Sequence, residues 1–169
     1  EWGRNRETVM KKKRRKNRKR TNKAIPAKGI LRGMADRLWS YAIRDDWDWK
    51  CAACGNGKPD AHHMVPRGHE TTRYDMFNGI ALCPHCHQFD INKSPHMNAA
   101  GFLMWLESNW PKWHKWYMRY TENGYIPFHG TKNNSYYIDV IRGLKEYVPN
   151  EEYERIVGVR FAKWLADNE

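Results

Sequence analysis

The chain of 169 residues carries 30 Lys+Arg against 19 Asp+Glu, and 40% of it is apolar and 14% aromatic. That content can bury a core, which excludes a wholly disordered chain, and the length suits one domain with an appendage. No apolar run reaches the ~18 residues that span a bilayer, so no membrane partner is expected and the protein reads as cytoplasmic.

The charge lies at one end. Residues 1–28 hold 13 Lys/Arg and 2 Asp/Glu, whereas residues 29–169 hold 17 of each sign. The densest run is Lys11, Lys12, Lys13, Arg14, Arg15, Lys16, Arg18, Lys19 and Arg20, interrupted only by Asn17. Like charges at this density repel, and no apolar residue interrupts them to form a buried face. Residues 1–28 are therefore expected to be an intrinsically disordered arm on a neutral globular domain, 29–169. A flexible polycation binds nucleic acid by releasing condensed counterions. An anionic lipid surface, an import receptor or a merely solubilising role are the alternatives.

Ile30 to Ile43 predicts the first helix, with Ile30, Met34, Leu38 and Tyr41 at helical spacing and Leu31 and Ala35 beside them. Cys51 to Pro59 is turn-like, and Asp60 to Val65 predicts a strand closed by Pro66. Arg67 to Asp75 reads as a loop and Gly79 to Leu82 as a second strand. Pro84 suits the first position of a helix. Asn98 can cap a helix bearing Phe102, Leu103 and Leu106; Pro111 ends it and opens the next. Ser135 is expected to cap a further helix, and Asn150 a last one running from Tyr153 to Leu165. The predicted fold is α+β and mostly helical, with a two-stranded element in the middle and C-terminal helices over 98–169.

Cys51-x-x-Cys54 and Cys83-x-x-Cys86 form two knuckles with 28 residues between them. Four thiolates can surround one tetrahedral Zn²⁺ at ~2.3 Å. A closed sulfur shell has no open position, so this zinc would be structural. The competing arrangement is two disulfides, which reducing compartments disfavour.

Three signals lie between and beside the knuckles: His62-His63, Asn78, and His87 directly after Cys86. Neighbours on a strand point to opposite faces, so His62 and His63 suit different tasks. Imidazole is both a common metal ligand and a general base close to neutral pH. CxxC, HH, N and CxxCH, in that order, resemble the HNH endonucleases, the ββα-metal nucleases. Asn78 follows His63 by 15 residues and His87 follows Asn78 by 9, which agrees with the family's spacing. The likeness covers roughly residues 51–93. Thr72 to Gly79 is also similar to phage-borne HNH proteins, including recombination nucleases of the NinG type.

The resemblance implies a metal-dependent DNA endonuclease, phage-associated, acting in recombination, packaging or defence. RNA is a further substrate open to composition alone, and oligomeric state is open. It implies that His62 and His87 hold the catalytic metal, that His63 deprotonates water, and that Asn78 braces the loop and orients His63. Where some members carry another histidine one helical turn after the CH pair, this chain has Ile91. Asp90, on nearly the same predicted helix face as His87, is either an oxygen ligand or a surface charge. Two histidines with a carboxylate would accept Mg²⁺ or Mn²⁺. Arg67 and Arg73 either hold the DNA phosphate or make surface ion pairs. Asp60 fixes a histidine tautomer or is a turn acid. His69, His85 and His96 read as exposed loop, knuckle and turn residues. Trp105, Trp110, Trp113, Trp116, Tyr117 and Tyr120 fit core packing better than a base-stacking platform. The alternative of another class is a non-catalytic zinc module that binds DNA or RNA.

Overall fold

The computed structural model describes residues 25–122, 124 and 127–168. The basic run Lys11–Arg20 lies outside the described residues. Helix α1 (Lys28–Asp46) opens after Pro26 and is the element against which the rest is arranged. Its buried stripe is Leu31, Met34, Ala35, Leu38, Trp39, Ala42 and Ile43. The stripe is rotated from the expected one: Ile30 is exposed, because Leu31 rather than Ile30 faces inward.

One face of the molecule packs α1 against α4 (Asn134–Gly143), α5 (Asn150–Val157) and α6 (Val159–Asp167). The predicted last helix is broken in two. Gly158, at φ +84°, turns the chain through the left-handed region that favours glycine, so Tyr153, Ile156 and Val157 on one piece and Phe161 and Leu165 on the other reach the same core. Two caps also move. Asn133, not Ser135, caps α4 by accepting from the Tyr136 amide. Asn150 is the first residue of α5, preceded by Pro149, which offers no side-chain cap.

The second core contains an antiparallel pair, β1 (Asp60–His63) and β2 (Gly79–Leu82), with α2 (Ala99–Asn109) and α3 (Pro111–Glu122). The register pairs Asp60 with Leu82 and His63 with Gly79. β1 stops two residues short of the predicted strand because the Val65 amide leaves the ladder for the Asn78 side chain. Asn98 caps α2 through the Gly101 amide, and Pro111 opens α3. Trp105, Trp110, Trp113, Trp116 and Tyr117 pack, partly buried, on this core.

The helix expected from Pro84 is only one wide turn, His85–Phe89, closed by the Asp90 amide on the His85 carbonyl at 3.0 Å. Asp90 itself is extended (ψ 113°), and its Oδ1 accepts from the Asn92 and Lys93 amides. The predicted helix face shared by His87 and Asp90 does not form. Among the described residues no helix is long and apolar enough to cross a membrane.

Candidate metal centre

Two clusters of ligand atoms flank the hairpin. The first holds all four cysteines, each a free thiol, with their sulfurs within 4.8 Å of one another. Local hydrogen bonds shape both knuckles. The Gly55 amide donates to the Cys51 carbonyl at 2.8 Å, with Gly55 at φ +74°, and the His87 amide donates to the Cys83 carbonyl at 2.8 Å. The Ala52 amide donates to the Ala81 carbonyl and ties the first knuckle to β2. Cys54 Sγ lies 3.7 Å from Cys83 Sγ. A tetrahedron with 2.3 Å metal–sulfur bonds has edges of about 3.8 Å, so the thiols fit zinc and not a disulfide pair.

The electrostatics agree. Burial pushes the Cys86 thiol well up, and the neighbouring thiols push it further. Burial also opposes ionisation of Cys51, yet the amides of Cys83, Ala53 and Cys54 outweigh it and hold this thiol below its ordinary value. Four crowded sulfurs cannot all ionise without a central cation, and a dication supplies that charge.

The second cluster is made of imidazoles. His62 Nδ1 lies 2.8 Å from His87 Nε2, and His96 Nε2 lies 3.1 Å from the same atom. Nitrogens bound at ~2.1 Å to one metal stand about 3.0–3.4 Å apart; 3.1 Å falls in that range and 2.8 Å just below it, so the three rings converge close to the spacing of ligands on one ion. His62 comes from β1, His87 from the turn after the second knuckle, and His96 from the turn before α2. Ser94 locates the last of these. Fully buried, its Oγ donates to the His87 carbonyl at 2.7 Å and accepts from the His96 and Met97 amides. Burial, then the neighbouring imidazoles, lowers His62 to about 3, and burial followed by His96 lowers His87. These rings are neutral at pH 7, the form that binds metal. Three nitrogens and no carboxylate suit Mn²⁺, Zn²⁺, Co²⁺ or Ni²⁺ better than Mg²⁺, which prefers oxygen.

His96 reads from the sequence as a turn residue, and the structure brings it to the cluster. Its only sequence signal is a third histidine nine positions after His87, following a Ser-Pro turn. Asp90 is not in the cluster. Its carboxyl serves the turn instead, where the Asn92 amide holds it below the ordinary carboxylate value.

His63 stands apart from the cluster but opens onto the same cleft of about 600 Å³ as His62, His87 and His96. Its ring stacks on Trp39, centroids 3.7 Å apart and planes 19° from parallel. His63 Nε2 lies 2.9 Å from the Arg73 carbonyl oxygen. A carbonyl only accepts, so Nε2 carries the proton and Nδ1 the lone pair. Burial lowers His63 to about 4.

Asn78 is fully buried. Its Oδ1 accepts from the Val65 amide at 2.6 Å, and its Nδ2 donates to the carbonyls of Val65 and Thr72 at 3.1 and 3.0 Å. Both ends of the 65–72 loop are thereby fastened to the start of β2. Arg67 is exposed on the cleft wall. Arg73 is buried and ion-paired with Asp36 at 2.8 Å. Asp60, at the outer end of β1, is exposed.

No protein-family model matches this chain, and no curated protein or solved structure matches it. The resemblance to HNH nucleases therefore rests on the residues above.

Proposed function

We propose that the protein is a metal-dependent endonuclease that hydrolyses DNA phosphodiester bonds in the cleft lined by His62, His63, His87 and His96. One observation carries the reading: three imidazoles converge as a ligand set, while a fourth on the neighbouring strand position is held separately with its lone pair on Nδ1. A purely structural site needs the three but has no use for the fourth.

His63 Nδ1 takes a proton from water as the water oxygen attacks phosphorus, and the bond from phosphorus to the 3′ oxygen breaks. The leaving 3′ oxygen takes a proton from solvent, to which His63 later returns its own, so the products are a 5′ phosphate and a 3′ hydroxyl. A divalent cation held by His62, His87 and His96 would stabilise negative charge on the phosphate and on the leaving oxygen. A base of conjugate pKa near 4 is weak, but an adjacent phosphodiester anion favours the imidazolium and raises it. The Arg73 carbonyl also accepts the hydrogen bond of that imidazolium, so the ring keeps its orientation as it charges. Arg67 can grip a phosphate oxygen from the rim. A zinc held by Cys51, Cys54, Cys83 and Cys86 would fix the base of the hairpin and, through Cys86, the place of His87. The arm of residues 1–28 supplies the net positive charge that the body lacks.

The test is relaxation of supercoiled plasmid by the full chain with no added metal, Mg²⁺ or Mn²⁺, beside His63→Ala. Cleavage supported by Mn²⁺ and lost in the variant is expected. Binding without cleavage under every cation would leave a non-catalytic zinc module, and a fully active variant would remove His63 from the chemistry.

A further inference from the structure

We infer that Arg73 is a positioning residue that orients His63 and Arg67 in the cleft, and is not a phosphate-binding cation. Its side chain is 3% exposed. Nε and Nη2 donate to the Asp36 carboxylate at 2.8–3.0 Å, and Nε also faces the Tyr74 hydroxyl at 3.1 Å. Nη1 donates to the Arg67 carbonyl at 2.7 Å. All three nitrogens are engaged, and of the five N–H donors of a guanidinium at most two are left. With the side chain buried in this way, no bidentate grip on phosphate is available unless the arrangement comes apart.

The partners of this side chain show what it holds. It fastens the backbone of Arg67, a residue that itself lines the cleft. The carbonyl of Arg73 accepts from His63 Nε2. A carbonyl moves only with its residue, and this residue is anchored at its far end to α1 through Asp36. One turn further along the same helix, Trp39 covers the face of the His63 ring. Its indole Nε1 donates to the Asp75 carbonyl at 3.1 Å, joining the helix to the same loop. α1 thus sets both the plane of His63, through Trp39, and its edge, through Asp36 and Arg73. A single turn of a rigid helix is a better support than the loop that carries Arg73. Tyr74 completes the arrangement, its hydroxyl donating to Asp36 Oδ1 at 3.0 Å.

The role of His63 in this inference rests on the nuclease reading; its orientation by Arg73 does not. The experiment separates the two. Full-length, zinc-loaded protein is compared with Arg73→Lys and Asp36→Asn. Lysine keeps the charge but has no fork to hold both Asp36 and Arg67, and asparagine keeps the shape of Asp36 without its charge. Long-range ¹H–¹⁵N spectra of the imidazoles report which nitrogen of His63 carries the proton. Wild type is expected to show the Nε2–H form alone, and both variants a mixture with the Nδ1–H form. Single-turnover cleavage should fall about 10- to 100-fold at saturating DNA, the scale of a misplaced catalytic group. The half-saturating DNA concentration should rise no more than it does in Arg67→Ala, since Arg73 reaches a phosphate only through Arg67. Folded variants with the wild-type tautomer would overturn the inference. So would a half-saturating concentration raised beyond that of Arg67→Ala with an unchanged saturated rate, which marks a phosphate-binding cation. If wild type cuts nothing, the spectra still decide the orientation. If either variant fails to bind zinc and fold, Tyr74→Phe, which removes one hydroxyl from the same arrangement, is read by the same spectra.

Discussion

Gly79 opens β2 directly opposite His63, with a backbone at φ −106°, ψ 139° that any residue adopts. Its backbone does not require glycine; the space around it does. A Cβ there would fall well inside van der Waals distance of Ile43 Cδ1 and Cγ1 and 3.0 Å from Trp39 Cζ2. Ile43 and Trp39 are 0% and 1% exposed, so neither can swing into solvent. Gly79→Ala gains about 0.4–1 kcal/mol from a less flexible unfolded chain. Overpacking a tight core costs about 1–3 kcal/mol. The steric term wins, leaving a loss of about 1–2 kcal/mol and a Tm lower by about 2–8 °C. Ile43→Ala alone should cost about 2–5 kcal/mol through the cavity it opens. Together the two changes should cost less than their sum by more than about 1 kcal/mol, because the methyl introduced at position 79 enters the space Ile43 vacates. Urea denaturation of the four proteins, with zinc retained, measures this coupling. Additivity within about 0.5 kcal/mol would refute the packing argument. Because Trp39 also stacks on His63, Gly79→Ala should slow plasmid cleavage, and Ile43→Ala in the same chain should restore part of it.

Metal analysis of purified protein should find one tightly held zinc, and Cys83→Ser should unfold the hairpin; two disulfides in its place would end the zinc reading. His63→Ala should lower cleavage by about 10²- to 10⁴-fold with zinc content unchanged, the usual loss for a general base. His96→Ala should instead weaken binding of Mn²⁺, so that activity returns as Mn²⁺ is raised; an unchanged metal titration would remove His96 from the ligand set. With the histidine site stripped of metal, stability should be full above pH ~6.5 and fall as pH drops toward ~4. Burial holds His62 and His63 at about 3 and about 4, whereas in the unfolded chain they protonate near 6.5. From these two side chains unfolding takes up as many as two protons in that window, a slope of up to about 2.7 kcal/mol per pH unit, and the lowered His87 adds to it in the same direction. Denaturation midpoints at pH 7, 6 and 5 check the sign, and a midpoint that rises on acidification contradicts it. Deleting residues 1–23 should flatten the salt dependence of DNA binding by roughly 0.9 for each phosphate the arm neutralises, while saturated cleavage changes little. Identical salt slopes would mean that the arm does not touch DNA.

Features under short-range control are legible in the residues alone. The CxxC spacing brings two thiols to one knuckle, and the structure joins both knuckles into one sulfur cluster. Asn98 and Pro111 mark the starts of α2 and α3 because a cap and a ring-locked φ act within one turn. The Gly79–Leu82 strand shows in its apolar run and flanking turns. Folding of the whole chain settles what depends on residues far apart along it. His96 reaches His87 through Ser94 and a turn whose path no periodicity describes. Arg73 and Arg67 look alike in one polar loop, yet Asp36, 37 residues before Arg73, draws one inward and leaves the other on the cleft wall. Asp90 shares a helix face with His87 only if the turn after Pro84 continues, and its own side chain ends that turn. Likewise Gly158 divides the last helix because both halves must meet the same core across α1. Local propensities act over a few residues at about 1 kcal/mol each. A buried ion pair, an imidazole stack or a three-ligand site depends on partners that only the folded chain brings together.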